Sequence, residues 1–204
     1  MTEKEFGKLF DANIMQTEPS AKIIEWERDG LLAAHFPELH RCIGLQQDAR
    51  FHTGDVFSHC VGTCDAAPQN KMLRWAGLLH DIGKPIVAKF IDGRVTFYRH
   101  EIASVRVAAE VLTRFRIKSR PQIILLVRHH MYNYSSEWTD RAIASFILKS
   151  QITLQDLQTP DSFPLFQLRI ADRVSRGKEP VTKRQRDFER RLRRYFERER
   201  SIAP

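Results

Sequence analysis

The stretch Leu78-Leu79-His80-Asp81-Ile82-Gly83-Lys84-Pro85 sets an imidazole and a carboxylate side by side at the end of a strongly apolar helical segment. The approach to it, Met72, Leu73, Trp75, Ala76, Leu78 and Leu79, belongs in a protein core. A charged pair carried into an interior needs compensation. The fold must therefore wrap partners around His80 and Asp81. Imidazole nitrogen and carboxylate oxygen can hold one metal ion together, but two donors do not fill a coordination shell. His59 upstream, and His100, His129, His130 and Asp172 downstream, supply further donors. Such nitrogen and oxygen ligands suit Mn, Fe, Co, Ni, Mg or Zn. Water on an ion of this kind loses a proton near neutral pH and becomes a nucleophile. Each residue alone has an ordinary explanation: a satisfied core histidine, or an ion pair of Asp172 with Arg169 or Arg176. The combination favours a metal.

The rest of the chain reads as almost wholly helical. Asp55 can cap a helix to about Ala67, and Asn70 one to Ile82. Helical periodicity runs from Glu101 to Phe115, and from Pro121 to about Tyr132 behind Ser119. Asp140 can cap a helix to Lys149, and Phe163 to Arg176 is a further helix carrying Asp172. Between Val87 and Tyr98 the pattern changes, and Asp92-Gly93 between two β-rich runs signals a short hairpin. Residues 1–20 show no clear pattern.

Composition narrows the function classes. With 42% hydrophobic and 28% charged residues, the chain has the make-up of a soluble globular domain. It carries no run apolar enough for a membrane helix and no signal-like N-terminus, so a cytoplasmic setting is expected. The three cysteines, Cys42, Cys60 and Cys64, fit small buried residues in a reducing compartment. The net charge of +8 is concentrated: residues 176–204 hold eleven Lys/Arg against five Asp/Glu. There Phe188, Leu192 and Phe196 form a narrow apolar stripe on a basic helix. The stripe suits docking on the body or pairing with a second copy as a homodimer, and the basic face suits nucleic-acid phosphates.

The order His…His-Asp…Asp resembles the HD superfamily of metal-dependent phosphohydrolases. Eight ordered blocks carry a closer resemblance, to the HD domain attached to bacterial tRNA nucleotidyltransferases, the CCA-adding enzymes. They are Phe36-Pro37-Glu38-Leu39, Gly44-Leu45-Gln46-Gln47, His52 to His59, Leu73 to Pro85, Asp92 to Glu101, Leu126 to Met131, Trp138-Thr139-Asp140-Arg141 and Arg169 to Arg173. The polymerase head of those enzymes has a glycine-rich nucleotide motif and an Asp-x-Asp pair. Neither occurs in these 204 residues, so a stand-alone HD module is expected. The resemblance implies an all-α HD-domain helical bundle with one short hairpin. It would have an N-terminal extension over 1–29, the HD phosphohydrolase domain over 30–178 and a basic C-terminal helix over 179–204.

For function, the resemblance implies hydrolysis of a phosphate ester of a nucleotide or nucleic-acid end. Activity would be of the 2′,3′-cyclic phosphodiesterase, nucleotidase or phosphatase type, with metal-bound hydroxide as the attacking group. It carries His59, His80, Asp81 and Asp172 over as ligands of a first divalent ion, and His100 and His129 as ligands of a second. His130 is left to replace His129 or to face substrate phosphate. Asp81 and Lys84 carry the catalytic roles, Lys84 as a point charge on phosphate. Arg128, Arg141, Arg173 and His52 are further substrate contacts, with the arginines suited to forked phosphate binding. Arg99 stands where the family usually has glycine. The ion or ions would be Mn, Fe, Ni, Mg or Co. Two other classes remain open: a non-catalytic module binding RNA or protein, and a di-iron oxygenase on the same ligands.

Overall fold

The computed structural model describes residues 1–157 and 162–202, with side chains to residue 199. The last two residues of the expected C-terminal helix lie outside the described residues. Twelve α-helices follow one another among the described residues: α1 (Glu3–Asn13), α2 (Pro19–Arg28), α3 (Leu31–His35), α4 (Pro37–His40), α5 (Val56–Ala66), α6 (Lys71–Leu79), α7 (Lys84–Val87), α8 (His100–Arg114), α9 (Arg120–His129), α10 (Asp140–Ser150), α11 (Pro164–Val174) and α12 (Lys183–Ile202). Between α7 and α8 stands one antiparallel hairpin, β1 (Lys89–Ile91) and β2 (Arg94–Thr96). Its turn is Asp92-Gly93, both at positive φ, the geometry in which a two-residue loop matches strand twist. No described helix is long and apolar enough to cross a membrane.

Local chemistry sets the helix starts. Asp55 accepts from the Ser58 N–H and Asn70 from the Leu73 N–H, capping α5 and α6. α10 is capped by Thr139, whose hydroxyl accepts from the Ala142 N–H; Asp140, expected in that role, is its first helical residue. There its charge still favours the helix dipole. α6 ends at Leu79, earlier than Ile82, and His80 takes the C-cap.

α6 is the central element and packs against α5, α9 and α11. Two aromatic clusters brace this centre. One joins Phe6 and Phe10 of α1 to Trp26, Phe36, Trp75 and Phe115. Residues 1–20 look patternless because Phe6 and Phe10 are their main anchors, yet a Thr2–Glu5 capping box starts α1. Trp75 also donates its indole N–H to Asp11 at 3.0 Å. The second cluster gathers around Phe188 of α12, in contact with Tyr132, Tyr134, Trp138, Phe146 and Phe166. Phe188 and Leu192 are fully buried, so the apolar stripe of α12 docks on its own body. Each such side chain contributes about 1.5–3 kcal/mol.

Gly83 explains the tight turn after His80-Asp81. Its N–H donates to Ser104 Oγ at 3.0 Å. A Cβ here would stand 2.2 Å from the Ser104 nitrogen and 2.5 Å from the Ala103 carbonyl carbon. Only glycine lets this turn press against the backbone of α8.

Candidate metal centre

Five side chains from five helices or their caps converge on Asp81. His59 comes from α5, His80 from the C-cap of α6, His100 from the first turn of α8, His130 from the C-cap of α9 and Asp172 from α11. Asp81 is 3% exposed, and the four histidines are equally hidden. Its two oxygens face different partners. Oδ2 lies 3.4 Å from His59 Nε2 and 3.2 Å from His80 Nε2. Those two nitrogens are 3.1 Å apart, and Asp172 Oδ1 stands 3.2 and 3.8 Å from them. Oδ1 lies 3.1 Å from His100 Nε2 and 3.6 Å from His130 Nε2, themselves 3.2 Å apart.

The outer nitrogens define the tautomers. His80, His100 and His130 each place Nδ1 at 2.7–2.8 Å from the carbonyl three residues earlier, Gly77, Phe97 and Val127. A carbonyl only accepts, so Nδ1 carries the hydrogen and Nε2 presents its lone pair inward. His59 Nδ1 meets Ser175 Oγ at 3.2 Å, and that hydroxyl donates to the Asp172 carbonyl at 2.9 Å. Bare imidazole nitrogens facing each other at close range repel unless a cation sits between them. Neighbouring ligands around one ion, each at about 2.0–2.2 Å, lie roughly 3.0–3.5 Å apart. The donor set, its spacing and the pinned tautomers thus fit divalent metal. The two triads His59–His80–Asp81 and Asp81–His100–His130 share Asp81.

Electrostatics point the same way. Burial works to raise the pKa of Asp81, but His80 and Lys84 outweigh it and hold the carboxyl far below its ordinary range. Burial likewise opposes ionisation of Asp172, which His59, His80 and Arg176 hold low. Burial lowers the pKa of His80. Burial also disfavours charge on His59 and His100, yet the facing carboxylates leave both raised. Lys84 Nζ lies 2.6 Å from Asp81 Oδ2 and 2.5 Å from Gln47 Oε1. Arg176 Nη2 pairs with Asp172 Oδ2 at 2.5 Å.

Above these donors opens a cavity of about 390 Å³. Lys84, Arg169 and Arg176 supply its positive charge, and Phe51, Tyr98 and Met131, all half or more exposed, form an apolar rim. His52 lines the wall 4.8 Å from the His59 ring, its pKa pushed down to about 3 by burial and then by Lys84 and His59.

Of the residues singled out in the sequence, His59, His80, Asp81, His100, Asp172, Lys84, His52 and His130 come together here. Four do not. His129, expected as a ligand, is half-buried with its ring toward the Lys149 backbone. The inward stripe of α9 is Ile123, Leu126, Val127 and His130, the i, i+3, i+4, i+7 pattern, and His129 falls off it. Arg128 and Arg141 are exposed on outer faces away from the cavity. Arg173 turns aside, with its Nε donating to the Glu179 carbonyl at 2.7 Å. Arg169 and Arg176 take the place expected of these arginines. Arg169 on α11 and Arg176 in the turn just past its end stand at i−3 and i+4 from Asp172, a spacing visible in the sequence. Arg99 lies outside the cavity lining at φ 62°, the left-handed conformation that glycine adopts without strain.

The profile of the HD domain family matches residues 52–177, and thus every donor described above. The chain belongs to the HD domain family. HD domains bind divalent metals, and metal-dependent phosphohydrolases form their superfamily. Among similar proteins are an A-adding tRNA nucleotidyltransferase of Deinococcus radiodurans, 33% identical over 144 residues, and a CC-adding tRNA nucleotidyltransferase of Thermus thermophilus, 33% identical over 141. The first alignment covers 66% of this chain and 32% of that protein, the second 64% and 32%. A multifunctional CCA protein of an Azoarcus species is 33% identical over 128 residues, 59% of this chain and 30% of its own length. The chain thus spans about a third of the length of these relatives.

Proposed function

We propose that this HD domain is a metal-dependent phosphohydrolase that cleaves a phosphate ester of a nucleotide or nucleic-acid end. The observation that carries the reading is the ring of inward Nε2 and carboxylate donors beneath a cavity walled by three cations. His59, His80, Asp81 and Asp172 would hold one ion, and His100 and His130, sharing Asp81, a second. An ion held there acidifies coordinated water and neutralises phosphoryl oxygens.

The chain's own residues supply the rest. Asp81 stays ionised under its neighbours and ties the two ligand sets together. Lys84 fixes one Asp81 oxygen and offers positive charge at the cavity wall. Arg169 can turn guanidinium hydrogens toward phosphate oxygens, and Arg176, whose Nε and Nη2 are engaged by Asp172, adds positive charge beside it. His52 is neutral at physiological pH and can accept or donate one hydrogen bond to substrate. Phe51, Tyr98 and Met131 give a nucleobase an apolar surface at the mouth. The tRNA-related names of the relatives favour a nucleotide or nucleic-acid end over other esters, with 2′,3′-cyclic phosphate or nucleotidase chemistry foremost.

The test is turnover on aryl phosphate, bis-aryl phosphodiester, 2′,3′-cyclic AMP and nucleoside mono- and triphosphates. Each is run after chelation and reloading with Mn, Ni, Co, Mg or Fe, beside Asp81→Asn. Metal-dependent turnover that is lost in the variant is expected. A folded protein that binds metal yet hydrolyses nothing would overturn the reading, and oxygen consumption by the iron form would replace it with oxygenase chemistry.

A further inference from the structure

A second cavity, of about 330 Å³, lies between α12 and the body, lined by Tyr132, Asn133, Arg169, Arg173, Arg184 and Gln185 among others. Arg169 lines this cavity and the metal-site cavity alike. Its three guanidiniums are held by neutral acceptors: Arg169 by the His130 carbonyl at 3.1 Å, Arg173 by the Glu179 carbonyl at 2.7 Å and Arg184 by Asn133 Oδ1 at 3.4 Å. Among the described residues none of the three has a carboxylate partner, and no carboxylate lines the cavity. Gln185, 6% exposed, also lines it and leaves its Nε2 without a hydrogen-bond partner.

The neighbouring cavity on the same helix shows the contrast. It too is rich in arginine, but Asp140 and Asp187 line it, and Arg190, Arg191 and Arg198 pair with them. Fixed positive charge without a counter-ion, beside a free amide donor, is a site for anions.

Resting on the hydrolase reading above, we infer that this groove binds the phosphodiester backbone adjoining the cleaved phosphate, so that the substrate is an oligoribonucleotide end, not a lone nucleotide. Arg169 links the two parts. The 3′-terminal phosphate sits over the metal donors, and the preceding phosphates run toward Arg173 and Arg184. Arg184 and Gln185 lie beyond the HD family match, so this half of the site belongs to the added helix.

The test compares Arg184→Ala with Arg190→Ala, which remove the same charge from the same helix. Substrates are a short oligoribonucleotide ending in 2′,3′-cyclic phosphate, 2′,3′-cyclic AMP and a nucleoside bisphosphate. Binding of an oligoribonucleotide ending in 3′-phosphate is followed by fluorescence anisotropy across salt concentrations, which reads the groove whether or not turnover occurs. Arg184→Ala should raise the oligonucleotide KM and Kd about five- to tenfold, lower the log–log salt slope by about 1 and leave 2′,3′-cyclic AMP turnover unchanged. Arg190→Ala should leave all of these unchanged. Equal effects of the two variants, or of Arg184→Ala on both oligonucleotide and cyclic AMP, would overturn the groove. A bisphosphate bound as tightly as the strand, with the same Arg184 dependence, would overturn the strand. Intact Arg184-dependent binding with no hydrolysis of any substrate would instead sink the hydrolase reading.

Discussion

Asp81 divides the centre into two unequal halves. On its Oδ2 side stand His59, His80 and a second carboxylate, Asp172, all on helices packed directly on one another. On its Oδ1 side, among the described residues, stand only His100 and His130, at the ends of α8 and α9. The first half offers two carboxylates, Asp81 paired with Lys84 and Asp172 with Arg176. The second has only a share of one. Charge and donor number govern how strongly oxygen and nitrogen ligands hold a divalent ion. The first half should therefore bind tightly and the second loosely, with the second more sensitive to the metal chosen.

The largest test breaks both halves together. Asp81→Ala removes the shared ligand and leaves Lys84 buried without its carboxylate. Bound metal should vanish by elemental analysis, and turnover should fall on the order of 10³-fold. Circular dichroism must show a folded chain, with Asp81→Asn as the isosteric control. Metal retained at wild-type stoichiometry would refute the bridging role.

Next come substitutions that separate the halves. His80→Ala should abolish metal binding at the stronger half, whereas His130→Ala should cost only the weaker ion, seen as a fall from two equivalents to one in calorimetric titration. His129→Ala should match the unaltered protein in both metal content and turnover. Should His129→Ala behave as His130→Ala does, the geometry of α9 would be wrong.

That pair also marks how far the sequence could be read. The all-helical architecture, the hairpin at Asp92-Gly93 and the helix starts at Asp55 and Asn70 were legible because they rest on local patterns: periodicity, capping and turn chemistry. The convergence of His59, His80, Asp81 and Asp172 came through resemblance, since nothing local reports that α5, α6 and α11 meet. His130 was legible in principle, because it alone of the two histidines continues the stripe Ile123–Leu126–Val127. Arg169 and Arg176 were passed over as simple ion-pair partners of Asp172. Arg176 is such a partner and lines the cavity as well, a double role that a pairwise reading of one helix does not reveal. α1 escaped because its two phenylalanines gain meaning only against Trp26, Trp75 and Phe115, far along the chain.

A smaller effect sharpens the contrast in how the halves are supported. Ser175 holds the Nδ1 side of His59, where a backbone carbonyl serves the other three histidines. Ser175→Ala should weaken binding of the tighter ion about 10- to 100-fold and leave the weaker one unchanged, measured by competition with a chelator. An equal loss at both ions would mean that the halves are mechanically one.

The smallest expected effect lies at the far end of α8 from His100. Arg114 there grips Glu38 of α4 through two hydrogen bonds, at 2.8 and 2.7 Å. Burial pushes the Glu38 carboxyl up, but Arg114 outweighs it and holds the pKa below the ordinary value. The stabilisation is therefore fully present above an unfolded-state pKa near 4.5 and is lost as pH falls through the lower folded value. Glu38→Gln should cost about 1–2 kcal/mol in urea unfolding at pH 7, with the difference shrinking as the medium is acidified below that range. Both ions should remain bound, because the α8 end that carries His100 is seated independently, by the Gly83–Ser104 contact and the Phe97 carbonyl. Loss of the weaker ion in Glu38→Gln would show instead that the second half depends on the whole length of α8, and that its looseness begins outside the ligand set.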